Sequence, residues 1–137
     1  MNWFLIFAAL AGIYGLVTLM LAYIVQQYPR NPVQEPPDWG HVEDLRLEAV
    51  DGGSIEVWRV LPDGPSRGTI LLMHGWGRNR DRMVGRARIF ARWGFTTVMH
   101  SARDHGHSSP SRMMNIMKFA EDIETVLHWL DEPVLLY

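Results

Sequence analysis

The feature that most constrains this chain is an uncharged stretch of 23 residues, from Trp3 to Val25. At a rise of 1.5 Å per residue, a helix of that length covers the roughly 30 Å hydrocarbon core of a bilayer. Trp3 lies at one end and Tyr23 and Tyr28 lie at the other, where aromatic rings favour the headgroup layers. The stretch predicts a transmembrane anchor over residues 1–27, with the lipid bilayer as its partner through residues 3–25.

A cleaved signal peptide is the alternative interpretation of this stretch. Such a peptide has a basic start, a shorter apolar core and small residues before its cleavage site. The stretch fits none of these well, so a retained anchor is favoured. Arg30 is the nearest basic residue and lies on the C-terminal side, which favours a single-pass membrane protein with a cytoplasmic body.

Composition excludes several other classes of protein. A net charge of -2 and a pI near 6.3 argue against a nucleic-acid partner. The absence of cysteine excludes disulfides, thiolate metal sites and a cysteine nucleophile. Residues 28–40 carry Pro29, Pro32, Pro36 and Pro37 and are predicted to form an extended linker. A globular domain is therefore expected over residues 41–137.

The globular part begins with the pattern of a β-hairpin. Apolar residues alternate from His41 to Val50, the turn sequence Asp51-Gly52-Gly53 follows, and a second strand is expected from Ile55 to Val60. The continuous apolar run from Thr69 to Met73 is typical of a strand that is buried on both faces of a parallel sheet.

Two further strands alternate with two amphipathic helices. Asp81 is predicted to cap a helix that ends before Gly94 and carries apolar residues on one face (Met83, Ala87 and Phe90). A strand from Phe95 to Met99, a helix from Met113 to Leu130 and a strand from Val134 follow. This order predicts an α/β fold in which an antiparallel hairpin precedes a parallel βαβαβ unit.

Two loops in this pattern carry chemistry. His74-Gly75-Trp76-Gly77 lies between a buried strand and a helix, where glycines expose backbone N–H groups that can hold an oxyanion. Residues 101–110, SARDHGHSSP, follow the next strand. In this order the motifs resemble the α/β-hydrolase family, with its HGxG loop, its HGxS loop and a helix acid matched by Asp122.

The resemblance implies the N-terminal part of an α/β-hydrolase domain with an incomplete sheet. It makes the N–H of Trp76 an oxyanion-hole donor, with Gly75, Gly77 and His74 supporting the loop. The family's nucleophile, acid and histidine would all follow Tyr137, so the triad is absent from this chain. We therefore expect the inactive N-terminal portion of a membrane-anchored serine hydrolase that acts on ester or other acyl substrates, with no cofactor. The alternative is a non-catalytic, membrane-tethered docking module.

Other interpretations of these loops have weaker support. His74, His100, His105 and His107 suggest a metal site, above all the His105-x-His107 pair, but zinc needs three or four converging ligands and the hydrolase resemblance already explains these loops. None of the serines that follow the fourth strand (Ser101, Ser108, Ser109 and Ser111) sits in a nucleophile elbow. Six arginines between Arg78 and Arg92 are expected to form a solvated face, with anionic lipid as the alternative contact.

Overall fold

A computed structural model describes residues 2–26, 31, 34–111 and 113–137. Four residues used in the predictions above lie outside these ranges: Tyr28, Pro29, Arg30 and Pro32.

Helix α1 (Trp3–Gln26) has 24 residues and a mean hydropathy of 2.3 over its most apolar window. None of its residues is buried against the rest of the described chain. The helix is long and apolar enough to cross a membrane, a property that it shares with signal sequences.

The strands of the described residues form one five-stranded mixed sheet in the order β1-β2-β4-β3-β5. Strands β1 (His41–Glu48) and β2 (Ser54–Leu61) form the predicted antiparallel hairpin, and Gly52 has the positive φ of 79° that its turn requires. Strand β2 also pairs antiparallel with β4 (Thr96–Ser101).

The other pairings in the sheet are parallel, as predicted. Strand β3 (Thr69–Leu72) lies between β4 and β5 (Val134–Leu136) and pairs in parallel with both. All four residues of β3 are buried, which explains its continuous apolar sequence. The carboxyl ends of β3 and β4 therefore meet at one edge of the sheet, here called the carboxyl edge.

Alternating side chains of the strands form a core on each face of the sheet. Helix α2 (Val84–Arg92) covers one face, whose buried residues are Trp58, Val60, Ile70, Leu72, Met83, Ala87 and Met99. Helix α3 (Ile116–Leu130) covers the other, whose buried residues are Ala49, Ile55, Val57, Leu71, Val98 and Val126. This arrangement confirms the predicted apolar face of α2.

Both helix starts differ from the prediction. A 3₁₀ turn (Arg80–Met83) precedes α2, and Asn79 caps this turn by accepting a hydrogen bond from the N–H of Asp81. The prediction that Asp81 is the cap is therefore wrong, since the capping residue lies two positions earlier. Helix α3 begins at Ile116 rather than at Met113, because the Asn115 side chain accepts the N–H of Lys118 and fixes the first turn there.

The described part of the linker is bound to the domain. Nε2 of Gln34 donates to Glu56, and the N–H of Glu35 donates to Asp81 at 2.8 Å. Further along, Asp38 forms an ion pair with Arg88, whose guanidinium lies 4.7 Å from the ring centroid of Trp39. The segment thus runs from the carboxyl edge, along α2, to the start of β1 at the opposite edge of the sheet.

The corrected helix start can be tested by mutation. We expect Asn79→Ala to lower the free energy of unfolding by about 1–2 kcal/mol, since loss of an N-cap costs about that much and Asn79 also donates to the carbonyl of Asn31. Asp81→Ala should cost less than half of this. Denaturant unfolding in detergent micelles measures both changes, and an equal or larger loss for Asp81→Ala would contradict the assignment.

Candidate functional site

Two histidines connect the loops that follow β3 and β4. Nε2 of His74, in the first loop, accepts the N–H of Ala102 at 2.9 Å. Nε2 of His105, in the second loop, accepts the N–H of Gly77 at 3.0 Å. Each histidine ring thus accepts a hydrogen bond from the backbone of the other loop, so the two loops are connected twice.

The partners of the two rings define their protonation. Nδ1 of His74 lies 2.8 Å from the carbonyl oxygen of Gly75, and Nδ1 of His105 lies 2.9 Å from that of Arg103. A carbonyl only accepts, so each Nδ1 carries the hydrogen and each Nε2 accepts. Burial lowers the pKa of His74 to about 4, although its bond to Gly75 opposes this shift. Both nitrogens of each ring have a hydrogen-bond partner, so neither histidine is available as a base.

The backbone N–H of Trp76 lies between these anchor points. It makes no hydrogen bond within the described residues, whereas the N–H of Gly77 is held by His105. Gly77 has φ 68°, a conformation that favours glycine. At Gly75, by contrast, an added Cβ would meet no atom within 4 Å. The Trp76 ring lies edge-on to His105 and 5.9 Å from Phe119, measured between centroids.

An apolar pocket of about 350 Å³ opens beside this loop. Its lining residues come from the β3 loop, the end of β4 and the first turns of α3: Met73, His74, Gly75, Trp76, His100, Ile116, Phe119 and Ile123. The His100 ring is buried, and its Nδ1 has no hydrogen-bond partner in the described part of the chain. Burial, with His74 nearby, lowers the pKa of His100 to about 3, so the ring is neutral.

A buried guanidinium fixes the start of the β4 loop. Nε of Arg103 lies 2.6 Å from Asp122 on α3, and its two terminal nitrogens lie 2.7 Å from Asp51 and from Glu121. Burial alone would lower the pKa of Arg103, but these carboxylates outweigh it and raise the pKa. Burial raises the pKa of Asp122, against the attraction of Arg103. The cluster joins the hairpin turn, the β4 loop and α3.

A second buried cluster supports the other side of the loop. Glu56 is 1% exposed, accepts the N–H of His107 at 3.0 Å and lies 3.2 Å from the Arg80 guanidinium. Burial would raise the pKa of Glu56, but hydrogen bonds from Ser101 and His107 and the positive charge of Arg80 lower it. Gly106 has φ 52°, and a Cβ there would lie 2.0 Å from Oε1 of Glu56. This position therefore requires glycine.

The structure separates the residues of the weaker interpretations. The His105 ring contacts Gly77, whereas the His107 ring is half-exposed beside Glu56, so the two rings face different partners. The Ser108 hydroxyl accepts the N–H of Glu56 and donates to the carbonyl of Ser101. All six histidines are described, and none is hydrogen-bonded to a serine hydroxyl.

The prediction of a solvated arginine face is wrong for one member. Arg80 is 4% exposed, forms ion pairs with Asp44 and Glu56, and lies 3.9 Å from the ring centroid of Trp58. Glu56 was not predicted from the sequence, and His100 was considered only as a candidate metal ligand. Glu56 alternates with Trp58 and Val60 on one face of β2, and a charged residue at such a position is a signal of a buried ion pair.

Several solved structures that share this fold are esterases or other hydrolases. An esterase of Pyrococcus furiosus matches with a TM-score of 0.61 and 20% identity over 74% of this chain and 41% of that chain. The thioesterase domain from the curacin biosynthetic pathway matches with a TM-score of 0.61 and 26% identity over 71% of this chain and 35% of that one. An α/β serine hydrolase without a lid from Xanthomonas campestris gives 0.58 and 19%, over 74% and 52%.

These similarities establish an α/β-hydrolase fold for the chain. The chain spans between about a third and about a half of the length of the three structures. No protein-family model matches the sequence, and no curated protein matches it.

The buried neutral histidines predict a loss of stability in acid. When unfolded they titrate near pH 6.5, so the unfolded chain binds more protons and the free energy of unfolding falls as the pH drops below 6.5. This loss continues until the folded pKa values, about 4 for His74 and about 3 for His100, are reached. His100→Phe should remove about 2–3 kcal/mol of the loss between pH 6.5 and 4.5.

Denaturant unfolding at the two pH values checks this expectation. His41→Gln is the control, because His41 is exposed and its replacement leaves the buried rings of His74 and His100 in place. An acid loss in His100→Phe as large as in the unmodified chain would show that His100 is not buried in the neutral form.

The Arg103 cluster predicts a large and partly reversible loss of stability. Arg103→Ala leaves the carboxylate of Asp122 buried without its partner and should cost about 3–5 kcal/mol. Arg103→Met combined with Asp122→Leu should recover at least half of that loss, because no uncompensated charge then remains. The measurement is again denaturant unfolding, and a double variant as unstable as Arg103→Ala would contradict the account.

Proposed function

We propose that this chain is the N-terminal portion of a membrane-anchored serine hydrolase that acts on ester or other acyl substrates. The observation that carries the proposal is the unpaired N–H of Trp76, which lies at an apolar pocket on the carboxyl edge. The esterase and thioesterase structures that share the fold support the same class of reaction.

The proposed chemistry is acyl transfer through a tetrahedral intermediate. A serine nucleophile attacks the carbonyl carbon of the substrate, and negative charge develops on the carbonyl oxygen. The N–H of Trp76 then donates to that oxyanion, with a second N–H donated by the residue after the nucleophile. The apolar pocket holds the acyl group and excludes water, which strengthens these hydrogen bonds.

His74 and His105 act in this proposal as positioning residues. Their bonds to Ala102 and Gly77 fix the loop that presents the Trp76 N–H, so the donor is aligned before substrate binds. Gly75 lets the backbone of this loop come close to the substrate. Since neither ring can serve as the base, we assign the nucleophile, the base and its acid partner to sequence that follows Tyr137. The chain alone is then inactive.

We further propose that residues 3–25 anchor the protein in a single pass and that the body lies on the cytoplasmic side. The length and apolarity of α1 support the anchor. Arg30, on the C-terminal side of the helix, supports the orientation.

The coding sequence past Tyr137 gives the first test. The proposal requires a G-x-S-x-G-type elbow, or an equivalent with aspartate or cysteine as nucleophile, directly after β5. An in-frame stop codon at that point, together with cooperative folding of residues 41–137 alone, would instead support a non-catalytic docking module.

The oxyanion role of Trp76 is tested by a matched pair of variants in the complete enzyme. Trp76→Pro removes the N–H and should lower kcat by about 10²–10³-fold, the usual effect of losing one oxyanion-hole donor. Trp76→Ala keeps the N–H and should retain most of kcat, with a change mainly in KM. Hydrolysis of a p-nitrophenyl ester measures both, and thermal unfolding checks that each variant is folded.

Equal kcat losses in the two variants would count against the backbone role. A loss of kcat confined to Trp76→Ala would place the function in the indole ring instead.

A further inference from the structure

The carboxyl edge carries a group of exposed apolar side chains next to the pocket. Trp76 is 39% exposed, Met113 76%, Ile116 80% and Met117 67%. They come from the β3 loop, from the end of the β4 loop and from the first turn of α3, all at this edge. Arg78, which follows the Trp76 loop, is exposed as well. We call Trp76, Met113, Ile116 and Met117 the apolar rim, and Arg78 lies beside it.

The linker reaches the domain at the same edge. The carbonyl of Asn31 accepts a hydrogen bond from Nδ2 of Asn79 at 2.7 Å, and Asn79 lies two residues after Gly77. Three residues later, Gln34 is held between Glu56 and Nε of Arg80, which donates to it at 2.7 Å. From there the segment runs toward Trp39 and the opposite edge of the sheet.

This route limits the distance between α1 and the pocket. Helix α1 ends at Gln26, five residues before Asn31. Five residues span at most about 17 Å even when fully extended. If α1 crosses a bilayer, the carboxyl edge therefore lies next to the membrane surface. The opposite edge, where β3 and β4 begin and which we call the amino edge, faces away from it.

We propose that the apolar rim contacts the bilayer and that the pocket takes its substrate from the membrane. This inference rests on the proposed function and specifies its substrate class: an ester of a membrane lipid, whose acyl chain enters the pocket between Ile116, Phe119 and Ile123. Trp and Arg side chains suit the headgroup layer, because an apolar body and a polar or charged end are solvated together there. The methionines provide the flexible apolar contact with lipid.

Single cysteines can be introduced without background, since the chain has none. We would place one at Met113→Cys, one at Met117→Cys and a control at Gly64→Cys, in the exposed loop between β2 and β3 at the amino edge. Each full-length variant is labelled with an environment-sensitive fluorophore and reconstituted into phosphatidylcholine vesicles with a fifth of phosphatidylglycerol. Quenching by a nitroxide lipid is compared with quenching by aqueous iodide.

Labels at positions 113 and 117 should be quenched by the nitroxide lipid at least threefold more than the label at position 64, which iodide should quench instead. Equal lipid quenching at all three positions would overturn the proposal. Protection of positions 113 and 117 from both quenchers would also overturn it, because the rim would then be covered by protein.

Activity of the complete enzyme tests the substrate class. Met113→Ser combined with Met117→Ser should lower turnover of a diacylglycerol in vesicles at least tenfold and leave hydrolysis of soluble p-nitrophenyl butyrate within twofold. Equal losses on both substrates would overturn the inference. If the unmodified enzyme hydrolyses neither substrate, the proposed function fails, and lipid quenching still decides whether the rim contacts the membrane.

Discussion

The Arg103 guanidinium is the contact on which the arrangement of the carboxyl edge depends. It is buried and binds three carboxylates from two parts of the chain: Asp51 in the hairpin turn, and Glu121 and Asp122 on α3. Removing such a charge from water is costly unless its hydrogen-bonding positions are filled. Since the partners are far apart in sequence, the charge is compensated only when the hairpin, the β4 loop and α3 are all in place.

A second ion cluster makes the β3 and β4 loops mutually dependent. Arg80 begins the turn after the β3 loop, and its N–H donates to the hydroxyl of Ser101 at the end of β4. Its guanidinium binds Glu56, which in turn accepts the N–H of His107 in the β4 loop. Together with the histidine bonds between the loops, these contacts hold the backbone around Trp76 before any ligand binds. A donor that is aligned in advance needs no reorganisation during the reaction.

The fold was predictable from sequence because its signals are local. The turn at Asp51, the apolar run of β3 and the helical spacing in α3 each identify an element within a short window. The start of α2 was misplaced because Asn79 and Asp81 are both good capping residues, and a 3₁₀ turn separates Asn79 from the helix. The choice between them depends on tertiary contacts of Asn79, including its bond to Asn31, which no local pattern encodes.

The candidate site was only half predictable for the same reason. The sequence order identified the loop of Trp76, because the loop itself carries the motif. The wall of the pocket was not identified, since the position of His100 in that wall depends on α3 and the β3 loop packing around it. The buried charges were likewise only half predictable. Asp122 was identified through a resemblance, but its pairing with Arg103 becomes apparent only when the helix and the loop meet.

The linker extends this dependence to the position of the site relative to α1. A proline-rich segment by itself sets only a maximal distance, and a freely moving domain would present all of its faces to a membrane. Gln34 changes this, because its amide bridges Arg80 and Glu56, the same charges that hold the β3 and β4 loops together. The contacts that order the candidate site thus also bind the segment leading to α1. Any change that separates Arg80 from Glu56 would disturb both the shape of the site and its distance from the helix.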